Sequence, residues 1–153
     1  MYKLGERGLR LITGFEELRL NSYKDVANVW TIGYGTTRLN GFPVTVGMTI
    51  NEPVADALFN GSCEDILFHL MHVVFIELNQ NQVDSLTSFC YNLGKQALTK
   101  SSLLTAINNK LIINEDLFTR WNKAHVNGQL VELDGLTRRR KDEFQLYMSK
   151  EGL

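Results

Sequence analysis

Apolar residues recur at helical spacing near the start of the chain and through its second half, while residues 22–47 carry strand-like signals instead. Leu9, Ile12 and Phe15, with Leu11 widening the stripe, predict an amphipathic helix over residues 5–17. Glu16 and Glu17 at its end point about 100° apart on a helix, so only one of them faces a given cleft. From Val29 to Thr37 the sequence becomes Val-Trp-Thr-Ile-Gly-Tyr-Gly-Thr-Thr, rich in β-formers and spaced by glycines where backbone approaches something closely. Asn40-Gly41 is a hairpin signal, with Pro43-Val44-Thr45-Val46 as the return strand. Residues 22–47 therefore read as a small antiparallel sheet, too little to stand alone.

After Gly47 no strand pattern recurs. Thr49 or Asn51 caps a helix that tolerates Pro53 in its first turn and continues through Val54, Leu58 and Phe59 until Asn60-Gly61 interrupts it. Ser62-Cys63-Glu64-Asp65 is a fresh capping signature, followed by the stripe Ile66, Leu67, Leu70, Val73 and Val74. Val83, Leu86, Phe89 and Cys90 mark another helix, ended by Asn92-Leu93-Gly94. Ser101 or Ser102 starts a short helix through Leu103, Leu104 and Ile107, and Asn114 starts one through Leu117, Phe118 and Trp121. Asn127-Gly128 is a turn, and residues 136–150 form a closing basic helix. The expected fold is α+β and single-domain. A sheet-bearing lobe spans about 18–60, and a helical lobe spans about 62–153 plus the N-terminal helix, with the ligand cleft between them.

Composition narrows the partners. The chain has 153 residues, 44% of them hydrophobic and 22% charged, which suits one ordinary globular domain. Its formal net charge of -1 gives no global positive field, so nucleic acid is not an expected partner. The first residues lack an unbroken apolar run behind basic residues. No signal peptide or membrane anchor is expected, and folding in a cytoplasm follows. In that reducing setting Cys63 and Cys90 are expected as free, buried thiols.

The candidate chemistry lies where the first helix meets the sheet. Glu16 ends the apolar-periodic segment, Asp25 follows nine residues on, and Thr31 six beyond that. Two carboxylates and a hydroxyl from a helix end, a loop and a strand suffice to cleave a glycosidic bond: one carboxyl protonates the leaving oxygen, and the other activates water or attacks carbon. An apolar face behind Glu16 favours its protonated form, and Lys24 beside Asp25 favours ionisation there. Other candidates have plainer readings. Phe118 and Trp121 lie on an apolar stripe and read as core rather than sugar-stacking residues. Asp65, His69 and His72 share one face of a helix but lack a fourth ligand, so no metal is expected. The basic run from Arg138 to Lys141 precedes Asp142-Glu143 and reads as a solvated or salt-bridged face.

Longer motifs are more specific. Glu16-Glu17-Leu18-Arg19-Leu20, Tyr23-Lys24-Asp25 and Trp30-Thr31-Ile32-Gly33-Tyr34-Gly35 together resemble the catalytic signature of bacteriophage-type lysozymes, glycoside hydrolase family 24. Leu78-Asn79-Gln80-Asn81-Gln82, Phe89-Cys90-Tyr91-Asn92-Leu93-Gly94, Ser102-Leu103-Leu104, Arg120-Trp121-Asn122-Lys123-Ala124 and Gly135-Leu136-Thr137-Arg138-Arg139-Arg140 extend the similarity over nearly the whole chain. The resemblance implies a lysozyme-like fold and a muramidase that hydrolyses the β-1,4 bond between N-acetylmuramic acid and N-acetylglucosamine, without a cofactor.

By that resemblance Glu16 is the general acid, Asp25 the second carboxylate and Thr31 the residue that places water. Tyr34, Gly35, Asn92, Asn122 and Arg138 are supporting or substrate-binding candidates. Asn92 and Asn122 read equally well as structural caps, and Arg138 is favoured as the arginine that holds Glu16. Glu17 stands where relatives usually have glycine, so the chain is expected to leave the helix by another route. The implied biology is an endolysin acting on peptidoglycan as a monomer, released through a holin lesion. A wall-binding module that has lost catalysis and a lytic transglycosylase are the alternatives.

Overall fold

The first helix, α1 (Glu6–Phe15), is started by a carboxylate from far along the chain. In the computed structural model, which describes residues 1–151, Asp84 Oδ1 accepts from Gly5 N at 2.7 Å and Oδ2 from Gly8 N at 3.0 Å. Gln80 Nε2 donates to Asp84 Oδ1 at 2.7 Å. An anion at a helix N-terminus satisfies otherwise orphaned amides and opposes the helix dipole. Gly8 leaves room for it, since a Cβ there would come within 2.8 Å of Asp84. At the other end Glu16 is extended, with φ −100° and ψ 96°, so the chain turns out of the helix without a left-handed residue. That is the alternative exit expected from Glu17.

Strands β1 (Arg19–Lys24) and β2 (Trp30–Gly33) pair antiparallel, with Tyr23 opposite Thr31 and Lys24 opposite Trp30. Strands β3 (Arg38–Leu39) and β4 (Phe42–Pro43) form a separate hairpin. Its turn is Asn40-Gly41, where both residues have positive φ as a type I′ turn requires. The return strand is shorter than expected and stops at Pro43. An Asn21–Thr49 bridge ties β1 to the segment before the next helix.

Helix α2 (Glu52–Val73) runs 22 residues without a break, which corrects the expected interruption at Asn60-Gly61. Gly61 lies in open space on an exposed turn, so the backbone loses only side-chain contacts there. Asn51 is the cap, its side chain accepting from Val54 N. Helix α3 (Gln80–Leu93) follows a capping box made by Asn79 and Gln82, and packs against α1, α2, α4 and α7. Helices α4 (Lys95–Lys100), α5 (Ser102–Asn108) and α6 (Asp116–Thr119) are short. The remainder is not all-helical: β5 (Lys123–Val126) and β6 (Gln129–Glu132) pair around Asn127-Gly128, another turn with two positive φ values. The closing helix is α7 (Asp134–Met148).

The core gathers on α3, with Leu86 and Phe89 fully buried against Leu70, Leu98, Leu103, Ile107 and Phe118. Phe89 meets Phe118 at 6.0 Å and Trp121 at 5.9 Å in edge-on geometry, which places both aromatic residues in the core as expected. Cys63 and Cys90 are free and buried. Asp65 pairs with Lys95 at 2.6 Å and His69 Nε2 meets Thr99 Oγ1 at 2.9 Å, so that side of α2 rests on α4. No helix among the described residues is long and apolar enough to cross a membrane.

Candidate active site

Glu16 leaves α1 pointing at α7. Its Oε1 accepts from Arg139 Nη1 at 2.6 Å, a pair in which Arg139 is 3% exposed and Glu16 18%. Arg139 therefore takes the place expected for Arg138. One helical step of about 100° separates neighbouring arginines: Arg138 is exposed, Arg140 is buried against Glu143 and the Trp121 carbonyl, and Arg139 between them reaches Glu16. The guanidinium also lies over the Phe15 ring at 5.6 Å. The other carboxylate oxygen of Glu16 faces Gly35, where a Cβ would come within 2.7 Å of Oε2. Gly35, with φ +84°, ends a tight turn closed by the paired bonds between Ile32 and Thr36. Any side chain there would displace the carboxylate.

A groove of about 580 Å³ opens beside Glu16. Gly14, Phe15 and Glu16 form one wall, Val26 reaches in from the sheet side, Asn92 comes from the end of α3, and residues 133–136 with Arg138 and Arg139, from α7 and its approach, complete it. Asp25 does not itself line this groove, yet its neighbour Val26 does. Tyr23 lies within electrostatic reach of both Glu16 and Asp25: burial first, then these two carboxylates, push its phenol up. Thr31, directly across the strand pair from Tyr23, is 3% exposed. Tyr23 thus feels the charges of Glu16 and Asp25 and stands opposite Thr31 in the strand pair, while Thr31, like Asp25, does not line the groove.

Their fastenings differ. Asp25 Oδ1 accepts from Ala27 N and Val29 N, both at 2.9 Å, so its own loop orients it. Thr31 Oγ1 donates to the Val29 carbonyl at 2.9 Å. Glu17 is exposed and only loosely paired with Arg19 at 3.9 Å.

The supporting candidates separate. Gly35 and Asn92 are in place; Asn92 Oδ1 is buried at the groove without a hydrogen-bond partner among the described residues. Arg138 is exposed on the groove rim. Tyr34 turns away: its ring packs edge-on to Phe59 at 5.4 Å, its carbonyl accepts from the Tyr91 hydroxyl, and burial together with Asp56 pushes its own phenol up. Asn122 lies outside the groove, donating to Thr137 Oγ1 at 3.1 Å while its carbonyl accepts from Leu133 N. These contacts brace the turn at Gly35 through Tyr34 and tie the second hairpin to the approach to α7 through Asn122.

The phage lysozyme family model matches residues 13–143, which span this whole constellation. The chain belongs to the phage lysozyme family. It is 35% identical over 147 residues to an endolysin of Acyrthosiphon pisum secondary endosymbiont phage 1, covering 95% of this chain and 98% of that one. Among solved structures, an endolysin from Escherichia coli O157:H7 phage FAHEc1 superposes with a TM-score of 0.85 at 33% identity, over 95% of this chain and 93% of that chain. The muramidase domain of SpmX from Asticaccaulis excentricus gives a TM-score of 0.83 at 32% identity, over 98% of this chain and 100% of that chain. Membership of this family makes the chain a glycoside hydrolase of lysozyme type with a lysozyme-like α+β fold.

Proposed function

We infer that this phage lysozyme is an endolysin-type muramidase, cutting the β-1,4 bond between N-acetylmuramic acid and N-acetylglucosamine in peptidoglycan. The observation that carries this reading is the Glu16 carboxyl, fixed by Arg139 on the wall of a groove whose opposite lip bears the Asp25 loop. A glycan strand in the groove puts its glycosidic oxygen at Glu16, which donates a proton as the bond to the anomeric carbon breaks. Asp25, on the sheet side, stabilises positive charge on the sugar or removes a proton from the attacking water, and Thr31 accepts from that water to orient it. Asn92 Oδ1 is an acceptor for a sugar N–H or O–H. We favour inversion at the anomeric carbon, which calls for carboxyl groups roughly 6.5–9.5 Å apart rather than roughly 5–5.5 Å.

The two lobes, about 18–60 and about 62–153 with the N-terminal helix, work as one domain. The enzyme acts as a monomer, without nucleic acid or cofactor, after folding in the host cytoplasm and passing a holin lesion to reach the wall. Incubating purified peptidoglycan with the wild type and with Glu16→Gln tests the reading. New reducing ends from the wild type alone are expected. Products ending in anhydro sugars by mass spectrometry would make it a transglycosylase, and retained wall binding with no cleavage by either protein would make it a binding module.

A further inference from the structure

Behind the groove, four charged side chains form one buried chain. Arg139 gives Nη1 to Glu16, Nε to Glu143 Oε1 at 3.3 Å and Nη2 to the Ser88 carbonyl at 3.3 Å. Arg140 donates Nη2 to Glu143 Oε1 at 2.9 Å, and its Nε lies 2.7 Å from Oε2 as an ion-pair contact without hydrogen-bond alignment. Ser88 Oγ also donates to Glu143 Oε1 at 2.7 Å. Glu143 and Arg140 have no exposed side chain at all. Apolar residues of similar volume commonly fill such a site at equal or lower free energy, so stability alone does not account for these charges.

We propose, resting on the muramidase reading, that Glu143 is a positioning residue for Glu16: it fixes the guanidinium fork that aims the acid and takes up part of Arg139's charge. A lone guanidinium against a carboxyl favours the ionised form, and an ionised Glu16 cannot donate a proton. Glu143 on the far side of the same guanidinium opposes that field; burial pushes its own carboxyl up, while Arg140, then Arg139, and the Ser88 hydroxyl favour its charged form. Burial, with Glu16 next, pushes the phenols of Tyr23 from β1 and Tyr91 from α3 up. Burial, with Glu143 next, pushes the Cys90 thiol from α3 up to about 12. Around Tyr23, Glu17 and Asp25 add negative charge and Arg19 positive. Of these groups, Glu143 is the acid in contact with the guanidinium that holds Glu16.

The test is the pH dependence of kcat for reducing-end release. Glu143→Gln keeps the shape and the Ser88 partner but deletes the charge, and its high-pH limb moves down by about one pH unit. In Arg140→Met, Arg139 and Ser88 still face Glu143 and hold it ionised, so the variant loses only a positive charge and its limb moves up. The paired Arg140→Met/Glu143→Met variant replaces a buried ion pair by apolar side chains, folds, and returns most of the way to the wild type. A role in packing alone produces no reversal of sign and no rescue. NMR titration of the Glu16 carboxyl reads the same movements without turnover, so the inference is tested even if the enzyme has another substrate. Limbs and titrations that stay put, or that move in the same direction in both single variants, overturn it. If Glu143→Gln fails to fold, Arg140→Met and the paired variant decide. An inactive wild type, or an active Glu16→Gln, sinks the muramidase reading instead.

Discussion

The helical side of the groove fixes its carboxylate through a partner 123 positions away in sequence, whereas the sheet side fixes its own through amides two and four residues on. Glu16 depends on α1 starting at Asp84, on α7 lying against α3, and on the Gly35 turn arriving from the sheet. Asp25 depends on one short loop. The acid is therefore sensitive to damage far from the groove, while the second carboxylate is sensitive mainly to its own replacement.

The largest contrast lies between adjacent residues. Glu16→Gln lowers turnover by ~10²-fold to ~10⁴-fold, the loss expected for a positioned proton donor, while Glu17→Gln keeps most of it. The reverse result in a wall-clearing assay breaks the assignment of the acid. Asp25→Asn and Thr31→Ala each lower turnover by ~10²-fold with little change in the thermal midpoint, because their fastenings are local. Unchanged turnover in both removes the sheet side from the chemistry.

On the helical side, Asp84→Ala strips two amides and the Gln80 side chain of their acceptor and costs about 2–4 kcal/mol. That lowers the thermal midpoint by roughly 5–12 °C. Calorimetry showing less than about 1 kcal/mol would mean that α1 is held mainly by apolar contacts.

Alkali probes the same core. Burial pushes Cys63 and Cys90 up to about 12, so they stay protonated in the fold at a pH where unfolded thiols ionise. Burial likewise holds the Tyr147 phenol up at about 12. A raised value means that this stability is full below the ordinary thiol range near 9 and is lost as pH rises toward about 12. Urea midpoints should fall over that window, and fall less steeply in Cys63→Ala/Cys90→Ala; identical slopes would contradict the burial argument. The smallest effect is a gain: Gly61→Ala, in open space within α2, stabilises by about 0.5–1 kcal/mol. A loss there would show that the glycine serves a contact.

What was legible in the sequence follows the same division. Local signals were readable: the helix ending at Glu16, the strand around Thr31, the Asn40-Gly41 turn and the caps at Asn51 and Asn79 each depend on a few neighbouring residues. Asn60-Gly61 misled because tertiary packing of α2 overrides a weak local break. The β5–β6 hairpin went unread because both strands lie near the surface, so their alternation is faint; Asn127-Gly128 was the available clue. Arg139, Asp84 and Glu143 needed knowledge of which helices touch. The spacing of Arg139 to Glu143, i to i+4 beside a third arginine, was a local hint of a buried charge pair, but it could not name Glu16 as the partner.

The central claim is that Glu16 and the Asp25 loop meet across one sugar. A crystal structure of Glu16→Gln with a bound muropeptide oligomer tests it most directly. The account predicts a glycosidic oxygen within hydrogen-bond reach of residue 16, with Asp25 and Thr31 on the far side of the same sugar ring. A glycan seated away from Glu16, or one whose cleaved linkage never comes between those two carboxylates, would contradict it.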